Sequence, residues 1–323
     1  MQTSPFSIRL FLTWTLLVLS LHAVCSCGSQ QSSDKRTPEE IRLDRSTRID
    51  STTLPSVLHL DSIAGYEKLS SLTAEAWILV EDSLGLLISS KSADQLMHPA
   101  SLTKMMTCLL ALEHGRKNDT ISITPDVFVT KDSRVRPGDA FVVEKLIYEM
   151  MMQSDNVAAV ALGKFVGGDT LTFHRMMNEK AGYLHMDSTH FVNANGMPVN
   201  APSVGNMSTA RDLLILSRYC MDDSLFAQIV RTRQMDIPFI DHRHMPIQNT
   251  NLLLEQYKGC IGVKTGYTRQ AGACLASAAT RNGITLHLVL LKSKTHASRF
   301  TESAILFDYG FNVMEAFLGH QDN

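Results

Sequence analysis

The order of its strand-like and helical segments constrains the fold of this chain more than any other feature. Two strand-like segments and a helix come first, a block of helices follows, and three strand-like segments with a final helix close the sequence. The last two strands are joined by Arg281-Asn282-Gly283, which is a strong β-hairpin signal. The order predicts an α/β protein of the α+β kind, with an antiparallel five-stranded sheet covered by helices and an inserted all-helical subdomain.

The predicted elements set the bounds of the folded part at 72–317, with 318–323 as a tail. We expect strands over 74–80, 86–90, 262–268, 272–280 and 284–291, and helices over 102–113, 142–152, 157–165, 171–182, 209–219 and 298–317. Of the 323 residues 44% are hydrophobic, so the chain can bury a full core. A net charge of only -2 gives no indication of nucleic acid as a partner.

The first 27 residues have the pattern of an export signal. Arg9 is the only charge before the apolar stretch 10–24, which is too short to predict a membrane span. The following Val24-Cys25-Ser26-Cys27 resembles a bacterial lipobox, so we expect lipidation of Cys27, with a plain cleaved signal as the alternative. We therefore expect an exported protein, periplasmic or extracytoplasmic, that is held at the membrane through an N-terminal lipid. Residues 28–71 would form a polar tether between the lipid and the folded part.

The remaining four cysteines show no metal-ligand spacing and predict isolated thiols more than a disulfide framework, although one bridge stays open: Cys108, Cys220, Cys260 and Cys274. The segment Asp241-His242-Arg243-His244 lacks a third metal ligand nearby and indicates a surface loop. We therefore expect no metal and no cofactor.

Ser101 and Lys104 begin the first long helix, three positions apart. This spacing puts both side chains on one face, where a neutral lysine amine can take the proton of the serine hydroxyl. Burial and a second cation both favour the neutral amine, and Lys264 is the candidate for that cation. A Ser-x-x-Lys pattern alone is weak, because Ser32 to Lys35 matches it as well.

Two further triplets follow in the chain. Ser154-Asp155-Asn156 lies between two helical segments, where an ordinary helix cap is the plainer interpretation. Lys264-Thr265-Gly266 lies on a predicted strand, where glycine is disfavoured unless something must approach the backbone closely. Their joint occurrence in this order, each on a fitting element, favours one catalytic cleft over three coincidences.

The three triplets are shared by penicillin-binding proteins and class A β-lactamases. Together with their flanking segments they closely resemble the low-molecular-mass D-alanyl-D-alanine carboxypeptidases, members of the penicillin-binding proteins, over essentially all of 72–317. The resemblance rests on Pro99-Ala100-Ser101-Leu102-Thr103-Lys104, Val135-Arg136-Pro137-Gly138, Phe191-Val192-Asn193-Ala194-Asn195-Gly196 and Gly262-Val263-Lys264-Thr265-Gly266-Tyr267-Thr268. It implies a β-lactamase/transpeptidase-like fold.

The resemblance implies a role for each motif residue. Ser101 would attack the carbonyl between the two terminal D-alanines of a peptidoglycan stem peptide, with Lys104 as general base. Ser154, held by Lys104 and Lys264, would pass the proton to the leaving D-alanine. Asn156 would hold the substrate backbone, and Lys264 and Thr265 would bind the terminal carboxylate. Gly266 would allow the substrate to approach the strand closely. The oxyanion would lie between the backbone N–H groups of Ser101 and Tyr267. β-Lactams would be covalent inhibitors.

Three departures from the family pattern stand out. Tyr267 occupies a position where relatives often carry His. Lys294 is the best match for an arginine that helps hold the substrate carboxylate, and a lysine lacks the planar fork. The family's C-terminal β domain and amphipathic anchor are not expected, since the sequence ends at Asn323, and a lipid on Cys27 would replace that anchor.

Three alternatives to a carboxypeptidase remain. A class A β-lactamase needs a Glu-x-x-Leu-Asn segment, and none lies between Asn156 and Lys264. A non-catalytic penicillin or muropeptide sensor usually adjoins further membrane segments. The sequence does not distinguish a D,D-endopeptidase from a carboxypeptidase, because the loops around the cleft decide which substrates enter.

Overall fold

The computed structural model describes residues 36–199 and 205–321. The predicted signal peptide and the lipidation site at Cys27 lie outside these residues, as does the end of the predicted tail. The chain divides into two units, Met1–Glu40 and Ile41–Asn323. Of the first unit, the structure describes only residues 36–40.

The predicted antiparallel five-stranded sheet is confirmed. Its strands stand in the order β2-β1-β9-β8-β7, and every neighbouring pair is antiparallel. They span β1 Ala76–Glu81, β2 Leu87–Lys91, β7 Cys260–Thr268, β8 Gly272–Arg281 and β9 Ile284–Ser293. Strand β7, which carries the Lys-Thr-Gly triplet, is therefore an edge strand with one side open to a ligand.

The helical block lies between β2 and β7 in sequence and is longer than predicted. Its helices are α3 Lys104–His114, α4 Val143–Met152, α5 Asn156–Gly167, α6 Thr170–Tyr183, α7 Ala210–Met221, α8 Ser224–Arg231 and α9 Leu253–Gln256. Two small antiparallel pairs accompany them, β3 Thr120–Ser122 with β4 Ala140–Val142, and β5 Gln234–Pro238 with β6 His244–Gln248. Helices α8 and α9 and both pairs were not predicted from the sequence.

The sheet is buried on both faces, which explains why β1 shows no polar alternation. Its Ile78 and Val80 pack into the core shared with the helical block, while Trp77 and Leu79 pack on the opposite face. That second face is covered by the closing helix α10, Ser298–Gln321, which extends beyond the predicted end of the domain into the supposed tail.

The predicted tether over 28–71 is wrong from Pro38 onward. The described residues form helices α1 Pro38–Thr47 and α2 Thr53–Val57 and two short 3-10 turns. Leu54 has no exposed surface, and the buried Arg218 donates from Nη1 to the carbonyls of Ser46, at 3.2 Å, and Arg48, at 2.7 Å. Few apolar residues are needed here, because a buried guanidinium satisfies the carbonyls at the end of the helix.

The four cysteines described by the structure are free thiols, so no disulfide joins them. No described helix is long and apolar enough to cross a bilayer. Within the same residues, no group of His, Cys, Asp or Glu is arranged to hold a metal ion.

Candidate active site

Ser101 lies in a tight 3-10 turn, Ala100–Thr103, that leads directly into α3. The turn is unusual because Ala100 has a φ of +48°, a conformation rarely adopted by residues with a side chain. Gly196 makes room for it: a Cβ on this glycine would lie 1.9 Å from the Ala100 carbonyl oxygen. A loop about a hundred residues away in sequence therefore supports the turn that presents Ser101.

Lys104 is the first residue of α3, and it has no exposed surface. Its amine lies 2.9 Å from the Ser101 hydroxyl, 2.8 Å from Oδ1 of Asn156 and 2.7 Å from the backbone oxygen of Asn195. An ammonium has three protons to donate, so these three oxygens saturate it and fix its direction.

Burial lowers the pKa of Lys104 to about 7, against the nearby charge of Asp155, which raises it. Desolvation disfavours the ammonium form, and the single carboxylate is insufficient to restore the ordinary value. A substantial fraction of the amine is therefore neutral near pH 7, as a general base for the Ser101 hydroxyl requires.

The Ser154-Asp155-Asn156 triplet forms the turn between α4 and α5. Ser154 has a φ of +62°, and Asp155 caps α5 by accepting a hydrogen bond from the Ala158 amide at 2.8 Å. The helix cap and the catalytic motif are thus both present. Asn156 contacts Lys104, but among the described residues no hydrogen bond joins the Ser154 hydroxyl to Lys104 or Lys264.

Strand β7 passes next to the catalytic turn at Gly266. A Cβ on Gly266 would lie 3.2 Å from both the Pro99 oxygen and the Ser101 nitrogen. The close approach that glycine permits here is that of the catalytic turn itself. It also brings the strand end that carries Tyr267 next to the backbone amide of Ser101.

Two buried basic side chains lie along β7. Lys264 is 1% exposed, and burial, Lys104 and Arg299 together place its pKa well below the ordinary value. Arg299, in the first turn of α10, donates from Nη1 to the Gly266 carbonyl at 3.0 Å. Its Nε is buried and has no partner among the described residues.

The structure brings Arg299 to this strand, and not Lys294. The side chain of Lys294 is exposed, and its described hydrogen bond runs from its backbone amide to Thr73 Oγ1. The predicted match to the family's arginine is therefore corrected by five residues. The guanidinium of Arg299 comes from helix α10, whereas the sequence was compared with the family only near the end of the sheet.

Tyr267 and His296 form an aromatic pair at the mouth of the cleft. Their ring centroids are 4.1 Å apart, and the tyrosine is half exposed. His296 was not predicted from the sequence, because nothing in its neighbourhood along the chain links it to Tyr267.

Asn206 is a second residue that the sequence analysis missed. Its side-chain nitrogen donates to Thr103 Oγ1 at 2.9 Å and to the Asn193 carbonyl at 3.0 Å, and its oxygen accepts from the Val192 amide at 2.7 Å. One carboxamide thus joins the catalytic turn to the loop that holds Asn195 and Gly196. Sequence could have suggested only the loop, which belongs to the segments of the family resemblance.

Glu149 is a buried carboxyl one helical turn before the Ser154 segment. Both of its oxygens are buried without a hydrogen-bond partner among the described residues. Burial raises its pKa to about 8, Asp155 raises it further and Arg134 opposes the shift. Glu149 is therefore neutral at pH 7, and the charge near Lys104 is that of Asp155.

Fold and site together are those of a serine-type hydrolase of the penicillin-binding protein class. The sequence profile of the D-alanyl-D-alanine carboxypeptidase family, peptidase family S11, matches residues 64–295. The chain belongs to this family and is a serine-type hydrolase.

Known relatives agree with this assignment. D-alanyl-D-alanine carboxypeptidase DacB2 of Mycobacterium tuberculosis is 31% identical over 74% of this chain and 82% of its own length. DacC of Escherichia coli is 33% identical over 76% of this chain, which spans 63% of DacC. A solved variant of the DD-transpeptidase of Streptomyces K15 superposes with a TM-score of 0.70 at 28% identity, covering 74% of this chain and 98% of that one.

Proposed function

We propose that this protein is a serine D,D-carboxypeptidase that removes the terminal D-alanine from peptidoglycan stem pentapeptides through an acyl-enzyme on Ser101. One observation carries the proposal: a fully buried amine with a pKa of about 7 lies 2.9 Å from the serine hydroxyl. A lysine in water would be protonated and unable to act as a base.

In acylation, Ser101 Oγ bonds to the carbonyl carbon between the two D-alanines while Lys104 takes the hydroxyl proton. The oxyanion lies between the amides of Ser101 and Tyr267, and one such donor is typically worth about 3 kcal/mol of barrier. The C–N bond then breaks, and Ser154 passes a proton to the leaving amine. The Ser154 hydroxyl has no described hydrogen bond to either lysine, so this step requires it to turn towards Lys104. Water then hydrolyses the ester.

The terminal carboxylate binds where Lys264, Thr265 and Arg299 converge on β7. Thr265 supplies a hydroxyl that is already oriented by Thr250 Oγ1 at 2.7 Å. An arriving carboxylate favours the charged form of Lys264 and so offsets its lowered pKa. The guanidinium of Arg299 adds donors in a planar fork.

The same chemistry makes β-lactams covalent inhibitors, since their ring carbonyl takes the place of the peptide bond. The chain lacks the Glu-x-x-Leu-Asn segment of class A β-lactamases, so we expect the acyl-enzyme to persist. We place the reaction outside the cytoplasm, with a lipid on Cys27 as anchor, on the strength of the N-terminal sequence alone.

The test is incubation of a pentapeptide ending in D-Ala-D-Ala with the wild type, with Ser101→Ala and with a control variant. The control, Ser70→Ala, changes an exposed serine that lies before the first strand. We expect mass spectrometry to show loss of one alanine with wild type and control only. Release by Ser101→Ala refutes the role of Ser101. Penicillin acylation without any release identifies a sensor, and rapid turnover of benzylpenicillin identifies a β-lactamase.

A further inference from the structure

A pocket of about 480 Å³ opens beside Asn156, the side chain that contacts the Lys104 amine. Its walls come from α5, from the start of α6 and from the loop 192–199. None of its lining residues lies on β7, where the proposed carboxylate contacts are. Asn156 and Asn195 line the pocket and both accept hydrogen bonds from Lys104, so a donor bonded to Ser101 with its carboxylate end on β7 has this pocket beside its acyl part.

The pocket has an apolar floor and an exposed apolar rim. Val160, Phe173 and Val192 are among the residues that line it. At its rim, Val129 is 51% exposed and Met197 is 42% exposed. Exposed large apolar side chains that surround a concave site indicate a ligand more than they indicate an ordinary surface.

The two ionisable groups in the lining carry no free charge at neutral pH. Lys164 is paired with Asp126 at 2.6 Å. Burial lowers the pKa of His174, which keeps its imidazole neutral. A carboxylate that entered the pocket would lose water and would have to compete with Asp126 for the Lys164 ammonium, and a cation would meet no carboxylate in the lining.

We propose that this pocket is an acyl-side specificity site and that it takes an uncharged, apolar substituent of the donor in preference to one that ends in a free charge. The inference rests on the proposed function, because it needs a donor on Ser101. It names the substrate class: stem peptides or β-lactams whose acyl part carries a neutral group of modest size.

The experiment compares two penicillins with the same ring system, benzylpenicillin and its α-carboxy analogue, by the rate of covalent acylation at limiting concentration. We expect wild type to react at least about tenfold faster with benzylpenicillin. Val129→Asp should raise this rate ratio about fivefold and Val129→Lys should lower it about fivefold, as expected for one charge across a short, solvated distance. Met197→Asp and Met197→Lys form a second pair with the same expected signs.

The matched controls are Leu84→Asp and Leu84→Lys, which change an exposed apolar residue in the β1–β2 turn. They should leave the ratio at its wild-type value. A wild-type ratio near one, or rim variants of opposite charge that shift the ratio equally, overturns the proposal. Absence of acylation by either penicillin in wild type refutes instead the proposed function, so the two failures are distinct.

Discussion

The amine of Lys104 lies 2.9 Å from the hydroxyl of Ser101, in a part of the interior where the lysine has no exposed surface. Asp155, which also caps α5, is the carboxylate whose charge reaches this amine. The helix cap and the Lys104 amine are therefore coupled electrostatically, and a change at the cap alters the pH at which the amine loses its proton.

The pH dependence of acylation follows from this coupling. The base must be neutral, so we expect the acylation rate to be half-maximal near pH 7 and to fall about tenfold for each unit below it. Asp155→Asn keeps a capping side chain but removes the charge that raises the Lys104 pKa, so the midpoint should move to lower pH. Fluorescent penicillin labelling from pH 5 to 9 measures this. A flat profile would contradict the role of Lys104, and Asp44→Asn, at the exposed ion pair with Arg48, serves as control.

Arg299 and not Lys294 should control recognition of the terminal carboxylate. Arg299→Gln should lower kcat/KM for a peptide ending in D-Ala-D-Ala about tenfold to a hundredfold, since hydrogen bonds to charged groups contribute about 1.5–3 kcal/mol. The loss should be small for the same peptide with an amidated terminus. Lys294→Gln is the control and should behave as wild type. Equal effects of the two substitutions would show that their positive charge acts only at long range.

Gly196 should be intolerant of even the smallest side chain. In Gly196→Ala the new Cβ would meet the Ala100 oxygen, and the φ of +83° is unfavourable for alanine. We expect a loss of several kcal/mol in the free energy of unfolding, or a displaced turn with acylation reduced at least about tenfold. Gly182→Ala, in α6 with open space around it, should instead be neutral or stabilising by up to about 1 kcal/mol. Urea unfolding and acylation rates are the measurements, and normal values for both in Gly196→Ala would show that the loop can move.

Glu149 should make the protein less stable as the pH rises. Its pKa is about 8 in the folded state against 4.5 as the ordinary value. The unfolded state therefore loses this proton first, and the stability that the group contributes is complete below pH 4.5 and is lost towards pH 8. Relative to Glu149→Gln, wild type should lose on the order of 4 kcal/mol between these limits.

Urea denaturation at pH 5 and pH 8 tests this, with Glu144→Gln on the same helix as control. The Glu144 carboxyl is partly exposed and paired with Lys145 at 3.1 Å, so its replacement should not change the slope. Parallel pH profiles of wild type and Glu149→Gln would show that the Glu149 carboxyl is solvated.

The sheet could be predicted because local signals agreed with the final pairing. The Asn282-Gly283 turn fixed the β8–β9 hairpin, and the apolar strands matched elements that are buried on both faces. The packing of helix α1 onto the domain could not be predicted, because its sequence is polar and the contact depends on Arg218, which lies about 170 residues later. The β5–β6 pair was missed because it is short and half exposed, with charged residues such as Asp236 and His244 facing water.

The site was predictable where a motif lies on one element and not where it depends on packing between elements. Ser101 and Lys104 are three residues apart at a helix start, so their contact followed from spacing. Arg299 reaches Gly266 only because α10 packs against the sheet, a relation that has no local signal. The protonation state of Glu149 likewise depends on its burial, which the neighbouring residues in the sequence do not indicate.

The side chain of Asn206 carries a lesson for protein engineering. A designer who transplanted the three triplets onto another scaffold would reproduce every residue that performs chemistry and still omit the amide that ties Thr103 to Asn193. Without that tie, the wall of the transplanted site would lose one of the bonds that hold it in register with its nucleophile, next to the bond from Lys104 to Asn195.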